Sequence, residues 1–189
     1  PHAFQLFSPP CVAAGRVYVG SAGRELLCLS AESGELLWRR DVSDWLRAAP
    51  AATEEAVFAA AMDGSVRCFA PDGSLRWERR VGEHPVFADL VLAAEDAKLL
   101  VTGSDLRLHC LNAADGEPLW THRLLEHARV AGREIRSDDM ASGGWQQSKP
   151  TAAEGMLFVG SPSRFVFALD AATGAERWRY ELSGAVSGS

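Results

Sequence analysis

The side chains best suited to binding or chemistry fall mainly in one stretch of the chain, residues 124–149. This stretch brings carboxylate, imidazole, indole and amide groups together around a flexible Ser-Gly-Gly sequence. The candidate binding residues are His127, Arg136, Asp138, Asp139, Trp145 and Gln146, with Trp45 from an earlier segment. Two adjacent carboxylates can bind a cation, but no Ser-His-Asp or phosphate-loop motif of known spacing accompanies them. The residue types favour binding over catalysis, and no catalytic residue or metal site is predicted.

Four tryptophans recur elsewhere in the chain with a fixed neighbour, since each follows a glycine by four residues. The pairs are Gly34 with Trp38, Gly73 with Trp77, Gly116 with Trp120, and Gly174 with Trp178. Such self-similarity is the signature of a repeat architecture. Within each unit, β-branched and aromatic runs alternate with turn residues, which predicts four strands per unit and an all-β chain. In the last unit we expect strands at about 151–153, 156–160, 164–170 and 176–181.

A four-stranded sheet of this size cannot bury both of its faces alone, so neighbouring sheets must stack on it. Units of roughly 40 residues with one aromatic anchor each are typical of β-propeller blades. An indole that buries on the order of 200 Å² against the next blade contributes about 5 kcal/mol. We therefore interpret the four tryptophans and the four glycines as structural docking residues.

The repeat also resembles a known family. Residues 168–178, Ala-Leu-Asp-Ala-Ala-Thr-Gly-Ala-Glu-Arg-Trp, are similar to the tryptophan-docking motif of pyrroloquinoline-quinone-type (PQQ-like) repeats, and residues 28–38 and 110–120 repeat it with Cys in the first place. Pro10, Pro50 and Pro150 resemble the Ser-Pro entry to the innermost strand of that family. The resemblance implies a PQQ-like propeller of four-stranded blades, about four of them in this chain.

Because such propellers commonly have six to eight blades, we expect this chain to be a segment of a longer one; a closed four-bladed ring is the alternative. The expected order is blade 1 at about 9–42, blade 2 at 49–82, blade 3 at 86–124, an inserted loop at 125–149, blade 4 at 150–183 and the start of a further blade at 184–189. An open segment exposes blade faces, so the remaining blades or another copy should cover them.

Composition narrows the classes of partner. The formal net charge is −6, which argues against a nucleic-acid binder, and no apolar run is long enough for a transmembrane segment. Three of the cysteines, Cys28, Cys68 and Cys110, occupy the same place in successive units. Equivalent positions in stacked sheets lie about 10 Å apart, beyond the roughly 7 Å that a disulfide allows. We expect buried free thiols, which leave the compartment open, whereas the family resemblance favours a periplasmic or extracytoplasmic location.

Function is expected on the face where the central channel opens. The long insertion joins two blades there, and relatives in the family bind there. We predict a non-catalytic scaffold that holds a protein partner or a small ligand at this channel face; a solvated loop, or a lid whose Trp145 packs on its own blade, is the structural alternative for the insertion. Trp45 is either an exposed contact residue or tucked inward within a helical turn capped by Ser43.

Two other functions remain open. The chain could be part of a quinoprotein dehydrogenase, or a sensor or accessory domain of a multidomain enzyme. The resemblance implies that a dehydrogenase would use PQQ with calcium, a Cys-Cys pair and inward carboxylates. The sequence has no Cys-Cys pair and no repeating inward carboxylate. No cofactor is therefore expected unless other blades supply its ligands.

Overall fold

The computed structural model describes residues 8–21, 23–83, 85–86, 88–93, 97–124, 129–130, 133–134, 148–161 and 165–183. Strands and turns account for these residues, and no helix occurs among them. The strands form four antiparallel sheets of four strands each, and one two-stranded hairpin. The all-β prediction with four-stranded repeat units is confirmed.

Each sheet is a meander in which strands consecutive in sequence are paired, and we call the four sheets blades 1 to 4. Blade 1 comprises β1 (Cys11–Ala13), β2 (Arg16–Gly20), β3 (Glu25–Ser30) and β4 (Leu36–Asp41). Blade 2 comprises β5 (Ala51–Ala52), β6 (Val57–Ala60), β7 (Ser65–Phe69) and β8 (Leu75–Arg80). Blade 3 comprises β9 (Val91–Ala93), β10 (Lys98–Gly103), β11 (Arg107–Asn112) and β12 (Pro118–Arg123). The hairpin β13 (Arg129–Val130) and β14 (Arg133–Glu134) precedes blade 4, which comprises β15 (Thr151–Ala153), β16 (Met156–Gly160), β17 (Phe165–Asp170) and β18 (Glu176–Glu181).

The turn between the third and fourth strands of each blade has the same construction. Its glycine has a positive φ, which L side chains adopt only with strain. The values are 71° at Gly34, 82° at Gly73, 75° at Gly116 and 71° at Gly174. A β-bulge follows the residue that faces the tryptophan on the third strand, as between Cys28 and Leu29. Each blade therefore presents its tryptophan and its turn in a fixed geometry.

The indole of one blade lies on the turn glycine of the next blade. A Cβ atom would lie 2.9 Å from Trp38 if added to Gly73, 2.6 Å from Trp77 if added to Gly116, and 2.5 Å from Trp120 if added to Gly174. These distances are shorter than van der Waals contact. Glycine is therefore required at these turns for two reasons: its backbone conformation, and the space that the neighbouring indole fills.

Hydrogen bonds reinforce the first two of these junctions. Trp38 Nε1 donates to the carbonyl of Pro71 at 2.8 Å, and Trp77 Nε1 donates to the carbonyl of Ala113 at 3.1 Å. Buried indole N–H groups usually find such a partner. Each junction therefore combines apolar contact with a directional bond.

The third junction differs because a lysine, rather than the indole, donates to the backbone carbonyl of the turn. Lys98 Nζ donates at 2.7 Å to the carbonyl of Ala171, the position that corresponds to Ala113 in the preceding junction. Trp120 Nε1 is buried there and has no hydrogen-bond partner among the described residues. The hydrogen bond from Lys98 offsets the hydrogen bond that the Trp120 indole does not make, since a bond from an ammonium group is stronger than one from a neutral N–H.

A second side chain, two residues after each tryptophan, also contacts the following blade. Arg40 Nε donates to the carbonyl of Gly73 at 2.6 Å, Arg79 pairs with Glu117, and His122 Nε2 lies 4.0 Å from a carboxylate oxygen of Glu176. Residues two apart on a strand point to the same side of the sheet. This position therefore shares the tryptophan's side and reaches the same turn.

The hydrophobic core lies between the blades rather than within any one of them. Tyr18 and Cys28 of blade 1 pack with Val57 and Phe69 of blade 2. Corresponding clusters occupy the junctions between blades 2 and 3 and between blades 3 and 4. All four cysteines are free, and three of them, Cys28, Cys68 and Cys110, are buried in these clusters, in agreement with the interpretation as small apolar residues.

The two ends of the array lack this contact. A Cβ on Gly34 would meet nothing within 4 Å. Trp178 is 46% exposed, whereas Trp77 is 8% exposed. The described blades therefore form an open arc rather than a ring closed through this contact. No described residue docks against Trp178 or Gly34, so the docking roles of these two residues remain predictions. The predicted blade boundaries also remain predictions. The further blade predicted at residues 184–189 lies outside the described residues.

Replacing Trp77 by alanine should lower the free energy of unfolding by about 3–5 kcal/mol, because a buried aromatic and its hydrogen bond are lost together. Urea unfolding followed by circular dichroism measures this. Leu75→Ala, on the same strand and more than half exposed, is the control and should cost less than about 1 kcal/mol. Equal costs for the two variants would contradict the docking role of Trp77.

The two glycines of blades 1 and 3 separate backbone strain from the indole contact. Gly34→Ala should cost only the left-handed conformation, about 1–2 kcal/mol, because the space around it is open. Gly116→Ala has the same strain and also displaces Trp77, which adds about 1–3 kcal/mol. Urea unfolding of the two variants in dilute solution gives the difference, and a Gly34→Ala cost that matches or exceeds that of Gly116→Ala would refute this explanation.

The thiols should be almost inert in the folded chain. Burial raises the pKa of Cys68 and of Cys110 to about 11, and burial, partly opposed by Lys149, does the same for Cys11. Since the thiolate is the reactive form, alkylation by iodoacetamide at pH 8 should be about 100-fold slower than for an ordinary thiol. Mass spectrometry of native and urea-unfolded protein measures the rates, and native labelling as fast as unfolded labelling would contradict the burial.

Candidate functional site

The connections between blades lie together on one face of the arc. Because strands within a blade alternate in direction, the end of an outermost strand and the start of the next innermost strand lie on the same face as the turn between the second and third strands. The first connection, residues 42–50, crosses this face beside the turn that contains Arg24. We call the surface formed by Arg24, Asp44, Trp45 and Arg47 the link face.

Trp45 is exposed on the link face because its neighbour in the chain is buried. Leu46 is 1% exposed and packs so closely on Gly20 that a Cβ there would overlap the leucine side chain. Trp45 itself is 43% exposed. Its carbonyl accepts a hydrogen bond from the Met62 amide at 3.0 Å. The backbone therefore holds the indole outward.

The alternative of a capped helical turn is wrong. Residues 43–47 contain no helix. The Ser43 hydroxyl lies 3.1 Å from the Ser65 hydroxyl, and the Trp45 amide donates to Asp44 Oδ1 at 2.8 Å. It is Asp44, one residue later than expected, that satisfies a backbone donor here, and Leu46 rather than Trp45 that turns inward.

A polar network beneath the first connection supports it. The Asp63 carboxylate accepts hydrogen bonds from the Ser65 amide at 3.0 Å and from the Ser65 hydroxyl at 2.6 Å. Burial raises the pKa of Asp63, but hydrogen bonds from Ser43 and Ser65 outweigh it and hold that pKa below its ordinary value. Arg67 donates to Ser65 at 3.1 Å and pairs with Glu78 at 2.8 Å. The link is thus fixed to blade 2 by the contacts of Ser43 with Ser65 and with the Asp63 carboxylate.

The first and second connections are also joined to each other. The Ala49 amide donates to Asp89 Oδ1 at 2.8 Å, and the Leu90 amide donates to the Ala49 carbonyl at 3.2 Å. The Ser8 hydroxyl donates to the carbonyl of Ala48 at 3.0 Å. Successive connections therefore form one continuous surface, which can contact a partner without first having to become ordered.

The charges on the link face are accessible to solvent. Arg24 Nε lies 3.8 Å from Asp44 Oδ1, with side chains that are 60% and 34% exposed. Such an exposed pair contributes little to stability. Its charged groups can therefore turn towards a partner at little cost.

Six predicted site residues, His127, Arg136, Asp138, Asp139, Trp145 and Gln146, lie outside the described residues. The structure does show where the insertion leaves and rejoins the arc. The buried Leu124 offers its carbonyl to the Ser161 hydroxyl at 2.7 Å, and the Ser148 hydroxyl donates to the carbonyl of Gly160 at 2.7 Å. Both attachments meet blade 4 at the end of β16, which belongs to the same face as the other connections.

One polar cluster was not predicted from the sequence. His109 is buried between blades 2 and 3, and its Nδ1 lies 3.3 Å from the hydroxyl of Thr121. Its Nε2 lies 3.3 Å from Asp105 Oδ2, without the alignment of a hydrogen bond. In the other blades the same position holds Leu27, Arg67 and Phe167, so the available signal was a polar residue at a position that is apolar in two of the other three blades.

The chemical use of this cluster is limited by its surroundings. It lines a cleft of about 420 Å³ between the outer strands, together with Arg79, Arg80 and Arg107. Arg79 pairs with Glu117, and Arg107 Nε lies 3.7 Å from Asp105. The acid, imidazole and hydroxyl stand in the order of a nucleophilic triad, but both distances exceed ordinary hydrogen bonds. The contacts of His109 therefore hold its imidazole between blades 2 and 3, and no catalytic role is assigned to it.

Among the residues that the structure describes, no three His, Cys, Asp or Glu side chains come together as a metal site would require. Calcium, which a quinone cofactor of this fold would need, is bound by carboxylate, amide and carbonyl oxygens, and the described residues contain no cluster of carboxylates for it. Within the same described segments, no helix has the length and apolar composition needed to cross a membrane.

Comparison with known proteins agrees with this architecture. A family described as outer membrane protein assembly factor BamB matches residues 5–142, and one described as the β-propeller domain of glucose/ethanol/alcohol dehydrogenase matches residues 112–188. BamB of Moranella endobia is 29% identical over 186 residues, which are 92% of this chain and 44% of that protein. The matches cover 34%, 44% and 22% of BamB from Bordetella pertussis, Moranella endobia and Salmonella typhimurium, so the chain spans less than half the length of these three relatives.

Solved structures show the same fold at lower identity. BamB from Moraxella catarrhalis superposes with a TM-score of 0.73 at 21% identity, over 94% of this chain and 54% of that one. Quinohemoprotein alcohol dehydrogenase from Comamonas testosteroni gives a TM-score of 0.71 at 16% identity, over 94% of this chain and 35% of that one. The stacked four-stranded blades, their tryptophan–glycine junctions and the match over residues 5–142 lead to one conclusion: this chain belongs to the PQQ-like repeat β-propeller family that includes the outer membrane protein assembly factor BamB.

Proposed function

We propose that this chain is part of a non-catalytic propeller scaffold that holds a protein partner on its link face. The observation that supports this most directly is Trp45. Tryptophan and arginine are the residues that most often dominate binding energy at protein interfaces. Here an indole that is 43% exposed directly follows Asp44, which pairs with Arg24, and precedes the exposed Arg47 by two residues.

The backbone beneath Trp45 makes it a suitable anchor. Leu46 is buried on Gly20, and the Trp45 carbonyl is bonded to the Met62 amide. An anchor that is already held in place loses little conformational entropy when a partner binds. A protein surface with an apolar pocket rimmed by carboxylates would complement the indole and the flanking guanidinium groups.

The inserted loop would extend this surface. Its attachments at Leu124 and Ser148 lie on the face that carries the connections between blades. We propose that His127, Arg136, Asp138, Asp139, Trp145 and Gln146 contact the same partner, because long insertions on a rigid scaffold commonly carry binding residues.

The relatives suggest the kind of partner and the compartment. Proteins similar to this chain are named outer membrane protein assembly factors. By that analogy, the partner is another protein of the outer membrane assembly machinery, and the chain works outside the cytoplasm. A shared fold does not by itself imply a shared partner. The exposed Trp45 on its fixed link is the feature of this chain that supports a protein partner.

The second candidate is a blade array of a quinoprotein dehydrogenase. The match of residues 112–188 to a dehydrogenase propeller domain favours it. No three His, Cys, Asp or Glu side chains come together among the described residues, so under this candidate other parts of the protein supply the carboxylate ligands of calcium. Titration of the chain with PQQ and calcium, followed by absorbance and mass spectrometry, tests this candidate, and tight stoichiometric binding would favour it over the scaffold.

The scaffold proposal predicts that Trp45→Ala weakens binding at least about 10-fold, the loss of roughly 1.4 kcal/mol or more expected for an interface anchor. The probe is purified outer membrane protein assembly machinery from which its own BamB has been removed, and the measurement is biolayer interferometry against the immobilised chain. The melting temperature should stay nearly unchanged, because Trp45 is outside the core.

The matched control is Leu75→Ala, which removes a comparably exposed apolar side chain from an outer strand. It should bind as the unmodified chain does. Equal affinity for Trp45→Ala and the unmodified chain would remove Trp45 from the site, and no binding of the unmodified chain to this probe would refute the proposed partner class.

A further inference from the structure

We propose that the cleft between blades 2 and 3 binds a small organic phosphate. Its phosphate group would take the place that a carboxylate of the chain itself occupies in the preceding blade. The cleft has a volume of about 420 Å³ and is lined by β8 of blade 2 and by β11 and β12 of blade 3. No residue of the link face lines it, so the proposal is independent of what the link face binds.

In blade 2, the corresponding strand pair carries its own ion pair. Arg67 on β7 lies directly opposite Glu78 on β8, and their side chains meet at 2.8 Å. In blade 3, the equivalent register places His109 opposite Thr121. A nitrogen base is therefore kept at this position, whereas a hydroxyl group stands where blade 2 has its carboxylate.

The neighbouring acid does not replace the missing carboxylate. Asp105 occupies the position of Asp63 in blade 2, and each of them accepts a hydrogen bond from the amide two residues later. This acid is therefore common to both blades. Arg107 stands where blade 2 has Ser65. Blade 3 thus keeps one guanidinium group and adds an imidazole, but it has one carboxylate fewer.

Guanidinium groups reach the cleft from both blades, Arg79 from blade 2 and Arg107 from blade 3. Arg79 pairs with Glu117, with side chains that are 43% and 61% exposed, and such exposed pairs contribute little to stability. Arg107 Nε lies 3.7 Å from Asp105 Oδ2, which is too far for a hydrogen bond. Both guanidinium groups can therefore turn towards a ligand at little cost. The planar fork of an arginine matches two oxygens of a phosphate.

His109 and Thr121 supply two further polar groups to the cleft. His109 is 8% exposed, and its Nε2 has no hydrogen-bond partner among the described residues. A buried polar nitrogen without such a partner is costly. The Thr121 hydroxyl lies 3.3 Å from Nδ1 of the same ring and belongs to an exposed residue. A phosphate oxygen in the cleft would supply a partner to Nε2 and to the hydroxyl.

The surroundings of the cleft are more positive than the chain as a whole, whose formal net charge is −6. The basic groups are Arg79, Arg80, Arg107 and Arg123, and the acidic groups that contact them are Asp105 and Glu117. Arg107 and Arg123 lie directly opposite each other on adjacent strands, an arrangement that destabilises a sheet when the charges are alike. An anion in the cleft would relieve this repulsion.

The lining of the cleft indicates a phosphate joined to a short organic group. A phosphate offers three terminal oxygens, enough for guanidinium groups on two walls and for the polar groups between them. Val81, Leu111 and Pro118 line the remainder of the cleft with apolar surface. The volume lies in the range of small-molecule sites, roughly 300–1,000 Å³. We therefore expect a phosphomonoester, either a free molecule or the headgroup of a lipid.

Isothermal titration calorimetry with glycerol 3-phosphate at constant ionic strength tests the proposal, and glycerol is the uncharged control. We expect saturable binding of one phosphate per chain and no binding of glycerol. Thr121→Glu should weaken binding at least about 10-fold, because it places in the cleft the carboxylate that blade 2 has as Glu78. Leu119→Glu adds the same charge at an exposed position of β12 outside the cleft and should bind as the unmodified chain does.

Arg107→Ala should also weaken binding at least about 10-fold, since a charge-assisted hydrogen-bond donor is lost. Its matched control is Arg76→Ala, which removes an exposed arginine from β8 outside the cleft and should leave binding unchanged. Melting temperatures of all four variants should lie close to that of the unmodified chain, because each replaced side chain is exposed. A loss of binding is then a property of the cleft and not of unfolding.

Vesicles identify the source of the phosphate. Co-sedimentation of the chain is measured with phosphatidylcholine vesicles and with phosphatidylcholine vesicles that contain phosphatidic acid, a lipid phosphomonoester. Binding to the second kind alone, lost in Thr121→Glu, would assign the cleft to a lipid headgroup. Binding of glycerol 3-phosphate without binding to either kind of vesicle would assign it to a free molecule.

Three results would overturn the proposal. The first is no saturable binding of glycerol 3-phosphate together with no selective binding to phosphatidic acid vesicles. The second is equal binding by Thr121→Glu and the unmodified chain. The third is equal weakening by Arg107→Ala and Arg76→Ala, or by Thr121→Glu and Leu119→Glu, because the anion would then respond only to net charge. None of these results bears on a protein partner at the link face.

Discussion

The contact of an indole with a glycine turn is the constraint on which the rest of this structure depends. A four-stranded blade has two apolar faces and too few residues to cover either, so the blade is stable only against its neighbours. The indole supplies much of the buried area, and the glycine supplies both the left-handed turn and the space. Because each contact joins one blade to the next, the same two residues set the geometry of all three junctions.

The polar groups between blades differ from one junction to the next, whereas the indole contact is the same in all three. Arg67 with Glu78 serves the first junction, His109 with Asp105 and Thr121 serves the second, and Lys98 takes the carbonyl that Trp120 would otherwise use in the third. Burying such groups is costly unless they are paired. We infer that they distinguish one junction from another, since the apolar contact alone is nearly the same in all three.

The link face follows from the same stacking. Strands that alternate in direction return every connection to one side of the arc, and hydrogen bonds between Ala49, Asp89 and Leu90 join two of the connections. A rigid base of this kind can expose an indole such as Trp45 without strain. The link face thus presents an exposed indole, and the described residues contain no cluster of three His, Cys, Asp or Glu side chains.

The sequence by itself determined the fold, because the spacing of glycine and tryptophan is a local property that survives in every repeat. It also determined the family, the four-stranded units and the buried thiols. Only the tertiary structure decided that Leu46 rather than Trp45 turns inward, because that choice depends on the space beside Gly20, which is distant in sequence. The Asp105–His109–Thr121 cluster likewise depends on strand register and on a neighbouring blade, and the open states of Gly34 and Trp178 depend on what lies across each end of the arc.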